Sequence, residues 1–318
     1  MPVSQADFIQ IFEKLGPEKT AKKLGVGVRA VYQRRGRVEG LIGRQLVSPA
    51  QDRGAKARTR VGVEHPGRIN MDVKDGTVLI CSDGHFWPGE ASTAHRAFVK
   101  FVKDMKPKLV VMNGDALDGA TISRHAPIGW EGRPTLIQEL EACQERLGEI
   151  EQAAARGVPL VWTLGNHDGR FETRIATMLP ELAKIEGVHL KDHFGDRWQP
   201  CWSLWINDDV VVKHRFRSGI HAAHNNVMWS GKTIVTGHTH ALRVNPFPDY
   251  NGVRYGVETG CIADVNGRQF LDYTEDNPKR WESGFAVLTF KDGALLPPEL
   301  VTVWGPDTVT FRGQIIRV

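Results

Sequence analysis

The chain has 318 residues, more than one small domain needs, which fits one large domain or a domain with an appendage. Apolar residues make up 41% and charged residues 25%, a globular balance that excludes a mostly disordered chain. No apolar run nears the ~18 residues that span a bilayer, so no membrane role is expected. The opening MPVSQADFIQ lacks a basic stretch followed by an apolar one, so no secretory signal is expected. Cys81, Cys143, Cys201 and Cys261 are scattered without CxxC spacing, which argues against a zinc knuckle or a disulfide framework and for a reducing cytoplasm. Net charge is +4, and its distribution says more. Residues 1–70 hold 14 Lys and Arg against 6 Asp and Glu, a net of +8, so the other 248 residues carry −4. A basic head on a mildly acidic body suggests an anionic partner, nucleic acid first.

Residues 1–45 read as a small all-α domain. Phe8, Ile11, Phe12 and Leu15 recur at helical spacing, and Gly16-Pro17 stops that helix and opens the next. Ala21, Leu24, Val28 and Val31 are expected to share one buried face across a tight turn at Gly25. This segment resembles a helix-turn-helix, whose second helix would present Arg29, Gln33, Arg34 and Arg37 to DNA. Arg34 stands where that motif carries an apolar residue. The alternative is a basic three-helix unit that binds protein or caps the rest of the chain. Because helix-turn-helix units often pair, a homodimer through the head is a further expectation. Residues 46–70 lack periodicity and hold a basic cluster from Arg53 to Arg60; they read as a linker, either a phosphate-contacting strap or a solvated tether.

From residue 71 to 318 the pattern is α/β. Short apolar runs end in polar clusters at 77–83, 108–115 and 158–168. Helix-like stretches at 92–105 and 136–155 lie between them, which predicts a parallel core. Strands at 209–214 and 233–240 end the same way, and the tail from Gly284 reads as a hairpin with a Lys-Asp-Gly turn, expected to join a second sheet.

Functional residues of such sheets collect at the carboxyl ends of strands. Here those ends carry Asp83-Gly84-His85, Gly114-Asp115 with Asp118, Gly165-Asn166-His167-Asp168, His214, and Gly237-His238-Thr239-His240. Carboxylates, an amide oxygen and imidazoles make a mixed N/O donor set suited to Mn²⁺, Fe²⁺ or Zn²⁺ more than to Mg²⁺ or Ca²⁺. Seven donors, one a carboxylate able to bridge, exceed the need of one ion and suit two ions about 3.5 Å apart.

The ordered motifs DxH, GDxxD, GNHD, a lone His after a strand, and GHTH resemble the calcineurin-like metallophosphoesterase family, including members of phage or prophage type. The resemblance covers residues 71–318 and implies a two-sheet β-sandwich flanked by helices, αββα. It implies that Asp83, His85 and His240 bind one divalent metal, that Asn166, His214 and His238 bind a second, and that Asp115 bridges. Mn²⁺ is the first expectation, with Fe²⁺ or Zn²⁺ as alternatives. The implied chemistry is in-line attack on phosphorus by a hydroxide shared between the ions. His167 would serve as general acid or electrostatic stabiliser, with Asp168 orienting it and Asp118 supporting the ligands from behind. His214 is followed by Arg215 where the family carries Gly, so His221 and His224 are rivals for that ligand.

Arg124, His125 and Arg170 lie close to these motifs and are candidates for holding the substrate phosphate; surface ion pairs are the alternative. Trp87 follows the first motif and could stack a base or sugar or pack as core, and the other tryptophans are expected in core or rim. The family fixes the bond, a phosphoester, and leaves the substrate open. The basic head points to a phosphodiesterase or nuclease acting on DNA. The alternatives are a phosphatase or phosphodiesterase of nucleotides, small molecules or phosphoproteins, with the head used for assembly or targeting, and a DNA-binding regulator whose catalytic domain is dead.

Overall fold

Helix signals in the head act where the sequence places them. In the computed structural model, which describes residues 3–48, 65–125 and 132–318, α1 (Gln5–Leu24) starts at Ser4, whose hydroxyl accepts the Asp7 N–H. The helix breaks at Gly16, which takes φ 74°, and resumes at Pro17. Gly25 takes the left-handed turn before α2 (Val28–Ile42). Phe8, Phe12, Ala21, Val31, Val38 and Leu46 form one buried cluster.

Two expectations for this unit change. Val28 is the first residue of α2, beside the turn, and it is 39% exposed. Arg34, expected on the outer face, turns inward. Its guanidinium lies 4.7 Å from the Phe8 ring centroid and donates to the carbonyls of Val3 and Ser4. A long cationic side chain can bury its stem and satisfy its head on backbone oxygens, which is how a cation occupies an apolar position. Arg29, Gln33 and Arg37 stay exposed at four-residue spacing on one face of α2.

The described residues fall into two compact units, Met1–His65 and Pro66–Val318. The basic cluster from Arg53 to Arg60 lies outside the described residues. The second unit runs β1 (Arg68–Met71), β2 (Gly76–Cys81), α3 (Thr93–Met105), β3 (Leu109–Met112), α4 (Leu136–Ala153), β4 (Leu160–Thr163), α5 (Asp168–Met178), β5 (Trp198–Cys201), β6 (Ser203–Ile206) and β7 (Val210–Val212). It continues with α6 (Ala222–Ser230), β8 (Thr233–Thr236), β9 (Leu242–Asp249), β10 (Gly252–Thr259), α7 (Arg268–Thr274), β11 (Gly284–Lys291), β12 (Ala294–Leu295), β13 (Glu299–Gly305), β14 (Thr308–Phe311) and β15 (Gln314–Arg317).

A nine-stranded sheet has the order β15-β14-β13-β11-β2-β3-β4-β5, with β12 beside β11, and a six-stranded sheet has the order β1-β6-β7-β8-β10-β9. Strand alternation builds the layers. Val78, Ile80, Val111, Val161 and Leu288 face the second sheet, where Leu204, Val212, Val235 and Val257 meet them. Leu79, Val110, Leu160 and Phe285 face the other way, against Phe98 of α3 and Leu147 of α4. On the far side of the six-stranded sheet, Val227 of α6 covers Val211 and Ile234. The result is the expected αββα sandwich. Each such side chain, fully buried, contributes about 1.5–3 kcal/mol.

The tail hairpin departs from expectation. It turns at Lys291-Asp292-Gly293, yet β11 pairs antiparallel with β2 in the first sheet and not the second. The reason is in β11 itself. Phe285 and Val287 are buried on one face and Ala286 and Leu288 on the other, so the strand needs cover on both sides. The outer hairpin of the second sheet is β9–β10 instead, with Pro246 and Pro248 in edge strand β9, where a missing N–H costs little. No helix among the described residues is long and apolar enough to cross a membrane.

Candidate metal centre

Both sheets deliver their strand ends to one edge. β2 leads into Asp83 and His85, β3 into Asp115, β4 into Asn166, β7 into His214, and β8 into His238 and His240. Five of these seven residues hold a left-handed backbone: Asp83 at φ 52°, His85 at 36°, Asp115 at 52°, His238 at 72° and His240 at 57°. Each such non-glycine residue costs of order 1 kcal/mol or more, and strain of this kind concentrates at functional sites. The glycines between them are there for space. A Cβ on Gly114 would sit 2.4 Å from the His214 ring, and one on Gly165 would sit 2.1 Å from Asp115 Oδ1.

Ligand atoms converge in overlapping groups, Asp83 with His85 and His240, and Asp115 with His214 and His238. A third group joins His85, Asp115 and His167. His214 Nδ1 lies 2.7 Å from the Asn113 carbonyl, which can only accept, so Nδ1 carries the proton and Nε2 is free to ligate. His85 Nδ1 is fixed in the same way by Asp118 Oδ1 at 2.9 Å. Its Nε2 then points a lone pair toward His240 Nε2, 3.2 Å away, a juxtaposition that a cation relieves. The Asn166 Oδ1 is buried with no hydrogen-bond partner among the described residues. Burial disfavours charge on His214, but Asp115 and Asp83 outweigh it and push the imidazole up to about 10. Negative potential therefore concentrates where a metal cation would sit. Two divalent ions fit this donor set, with Asp115 between the two groups.

The structure redraws the roles of the two nearby carboxylates. Asp168 does not touch His167. It is buried and accepts from the backbone N–H of Asp115, Ala116, Leu117 and Gly165 and from the Trp162 indole. Successive residues at a helix start point about 100° apart. His167 therefore faces the cavity, while Asp168 turns inward and ties the β3 and β4 loops together. His167 is oriented by Asp118, whose Oδ1 is 3.0 Å and whose carbonyl is 2.8 Å from His167 Nδ1. Asp118 thus holds His85 and His167 at once. Burial raises its carboxyl, but the hydrogen bonds from His167 and His85 prevail and hold it well below the usual range.

The loop that carries Asp118 is itself anchored by Glu139 of α4. Glu139 accepts from Gly119 N at 2.5 Å and from Ala120 N at 3.1 Å. Burial and the neighbouring Asp118 charge raise its carboxyl from 4.5 to about 7, against those backbone bonds. The native state therefore keeps this proton longer than the unfolded chain. The associated stability is fully present below about 4.5 and is lost as pH rises toward about 7. In the metal-free protein, Glu139→Gln, which stays neutral and keeps an acceptor, is expected to flatten the fall in urea midpoint between these pH values. Parallel profiles of the two proteins would show that Glu139 does not titrate there.

A cavity of about 510 Å³ opens over the ligands. His125, His167 and Arg170 line it, with Arg170 donating to His167 (3.0 Å to Nε2) and to the Asp118 carbonyl at 3.0 Å. Trp87 lines the same cavity, while Arg124 lines a neighbouring one with Arg170. The same lining holds a group of rings without a motif in the sequence. Phe270 packs edge-on to His85, Trp281 lies 4.5 Å from the His240 ring centroid, and Tyr273 stacks on Trp281 at 14°. His221 and His224 are exposed outside the candidate ligand groups, with His224 against Phe247, so of the three only His214 joins the converging ligand atoms.

The Gene 54 protein of Mycobacterium phage L5 is 28% identical over 246 residues, 72% of this chain and 94% of the phage protein. The Gene 54 protein of Mycobacterium phage D29 is 28% identical over 248 residues, again 72% and 94%. Vacuolar Protein Sorting 29 from Cryptosporidium parvum aligns at a TM-score of 0.40 and 12% identity, over 77% of this chain and 97% of that one. The family profile described as calcineurin-like phosphoesterase matches residues 76–242, more than half of the chain. All seven ligand-type residues at the strand ends fall inside that stretch, and the chain belongs to the calcineurin-like phosphoesterase family of metal-dependent phosphoester hydrolases.

Proposed function

We propose that the protein is a phosphodiesterase acting on DNA, with Mn²⁺ as the working ion and Fe²⁺ or Zn²⁺ as alternatives. The observation that carries this reading is the mixed lining of the cavity. Phe270, Tyr273 and Trp281 offer faces and edges for a nucleobase, and Arg170 and His125 in the same lining offer contacts for a phosphate. The exposed Arg29, Gln33 and Arg37 on the head add a second polyanion-binding feature. Two divalent ions, for which the strand-end residues would be the ligands, would supply Lewis-acid charge to phosphoryl oxygens and acidify a water near neutral pH.

The chain's own groups do the rest. Asp118 keeps the His167 ring turned so that Nε2 meets the cavity; with Arg170 released to the substrate phosphate, a protonated Nε2 can donate to a departing oxygen. Arg170 beside it binds negative charge as that charge develops. Tyr273, 71% exposed and stacked on Trp281, gives a base a flat surface at the cavity rim.

End-labelled single- and double-stranded DNA incubated with Mn²⁺ and the purified protein tests this reading. Cleavage is expected, and His167→Ala should reduce it about a hundredfold while leaving an ester with a p-nitrophenolate leaving group nearly as reactive. That split follows because p-nitrophenolate departs without a proton. The net acidic balance of residues 71–318 favours a second reading, a phosphatase or phosphodiesterase of nucleotides or small molecules. Intact DNA beside rapid aryl-ester hydrolysis would establish that second reading and remove the first.

A further inference from the structure

Beside the metal cavity runs a second one of about 420 Å³, sharing His125, Asn166 and Arg170 with it. Its walls gather Arg124, Arg170, Arg174 and Arg215, and no Asp or Glu is among its described lining residues. Arg170 and Arg174 stand about one turn apart on α5, about 6 Å along the axis, so they reach successive points of the groove. Thr173 and Thr177 add hydroxyls from the same helix. Arg124, Arg174 and Arg215 are exposed, and no carboxylate lies within ion-pair distance of them among the described residues. The charge of Arg215 is felt by Lys213 and His238, in both of which it opposes protonation.

Four guanidinium groups around one concavity repel one another, and three of them lack, among the described residues, the carboxylate partner that Arg146 has in Glu149 and Arg312 in Glu299. An unbalanced fork of this kind is the arrangement that binds phosphate oxygens. One phosphate is already provided for over the strand-end ligands. The groove adjoins that point through His125, Asn166 and Arg170 and is lined by arginines, so its ligand carries further phosphates beside the first.

We propose that this groove binds the phosphates flanking the scissile one on a single polynucleotide strand, with Arg174 and Arg215 as its length-sensing contacts. This rests on the phosphodiesterase reading above and makes the substrate a strand of several nucleotides, not a mononucleotide. DNA and RNA present the same backbone charge, and the groove contacts select for that charge.

The test uses the full chain loaded with Mn²⁺ and follows hydrolysis of bis(p-nitrophenyl) phosphate, inhibited by single-stranded oligonucleotides of increasing length. Wild type, Arg174→Ala/Arg215→Ala and Arg174→Lys/Arg215→Lys are compared, with DNA and RNA strands in separate arms. Inhibition by wild type is expected to tighten with length. The alanine pair should weaken inhibition by the longer strands about tenfold per arginine. It should also flatten the slope of log Ki against log salt by about 0.7 per arginine. The lysine pair should keep that slope, because it keeps the charge. A dinucleoside monophosphate, with no flanking phosphate, should inhibit all three proteins alike.

Equal inhibition of wild type and the alanine pair by long strands overturns the proposal, as does inhibition of wild type that ignores strand length. The two readings fail separately. Strands that inhibit through the arginines yet stay uncut leave the groove standing and remove the nuclease reading. Strands cut equally fast by wild type and the alanine pair do the reverse. The arm in which wild type is inhibited more tightly identifies the polymer.

Discussion

Asp115→Asn is expected to lower phosphodiester hydrolysis by about three orders of magnitude or more and to leave fewer than two metal ions per chain. Asp115 is buried between the two ligand groups. Its Oδ1 accepts the His167 N–H at 2.8 Å, and its Oδ2 lies 3.0 Å from His214 Nε2. Asparagine can keep the first bond and the volume, so the change is one of charge at a single oxygen. That charge matters because Asp83 and Asp115 are the only two carboxylates within the proposed ligand set, while two divalent ions bring four positive charges. Removing half of the compensating charge between ions a few ångströms apart costs several kcal/mol, and each 1.4 kcal/mol is a factor of ten. Metal content after dialysis, read beside turnover and a urea midpoint, separates lost metal from lost fold. A variant with its full metal complement and activity within tenfold of wild type would remove Asp115 from the bridging position.

The site was legible in the sequence because every ligand type follows directly on an apolar β-branched run. Asp83 follows TVLIC, Asp115 follows KLVVM and Asn166 follows VPLVWT, each across a short turn. Strand ends in a parallel sheet share an edge, so linear order translated into spatial convergence. What the sequence hid depends on contacts between segments without such a marker. Asp168 looked like the partner of His167 because it is its neighbour in the chain, but the helix start rotates it away and Asp118, across the cavity, does that work. Phe270, Tyr273 and Trp281 lie more than a hundred residues beyond His85 and His167 and in no motif, so only folding shows that they face the ligands. Arg174 and Arg215 come from different elements and meet only at the groove. In the head, Arg34 had the look of an outward cation because composition cannot show that its guanidinium is satisfied by carbonyls of the N-terminal segment. The tail strand β11 was placed in the wrong sheet because a hairpin signal gives pairing with the next strand, and says nothing of the strand on the other side.

The second large effect is expected where no ligand is touched. Gly165 has no side chain to lose, yet Gly165→Ala should abolish turnover nearly as fully as Asp115→Asn does. A Cβ there would lie 2.1 Å from Asp115 Oδ1 and 2.5 Å from the Asp115 backbone nitrogen. The second contact decides the matter, because a backbone atom held by Asp168 at 2.8 Å cannot swing aside as a flexible side chain would. Gly165 N is bound to the same Asp168 carboxylate at 2.8 Å, so the loops after β3 and β4 are clamped face to face with no room between them. Alanine must pry them apart, moving Asp115 and Asn166 relative to each other. An overpacked core site costs about 1–3 kcal/mol in stability, which this fold can absorb while the ligand geometry cannot. The control lies four residues on. A Cβ on Gly169, within α5, meets nothing within 4 Å, so Gly169→Ala should be as active as wild type and no less stable. Circular dichroism, metal content and turnover on the two variants decide the point. A Gly165→Ala protein that is folded, fully metallated and active would mean that the two loops are not clamped as described, and that the glycine of GNHD answers to something other than the space Asp115 needs.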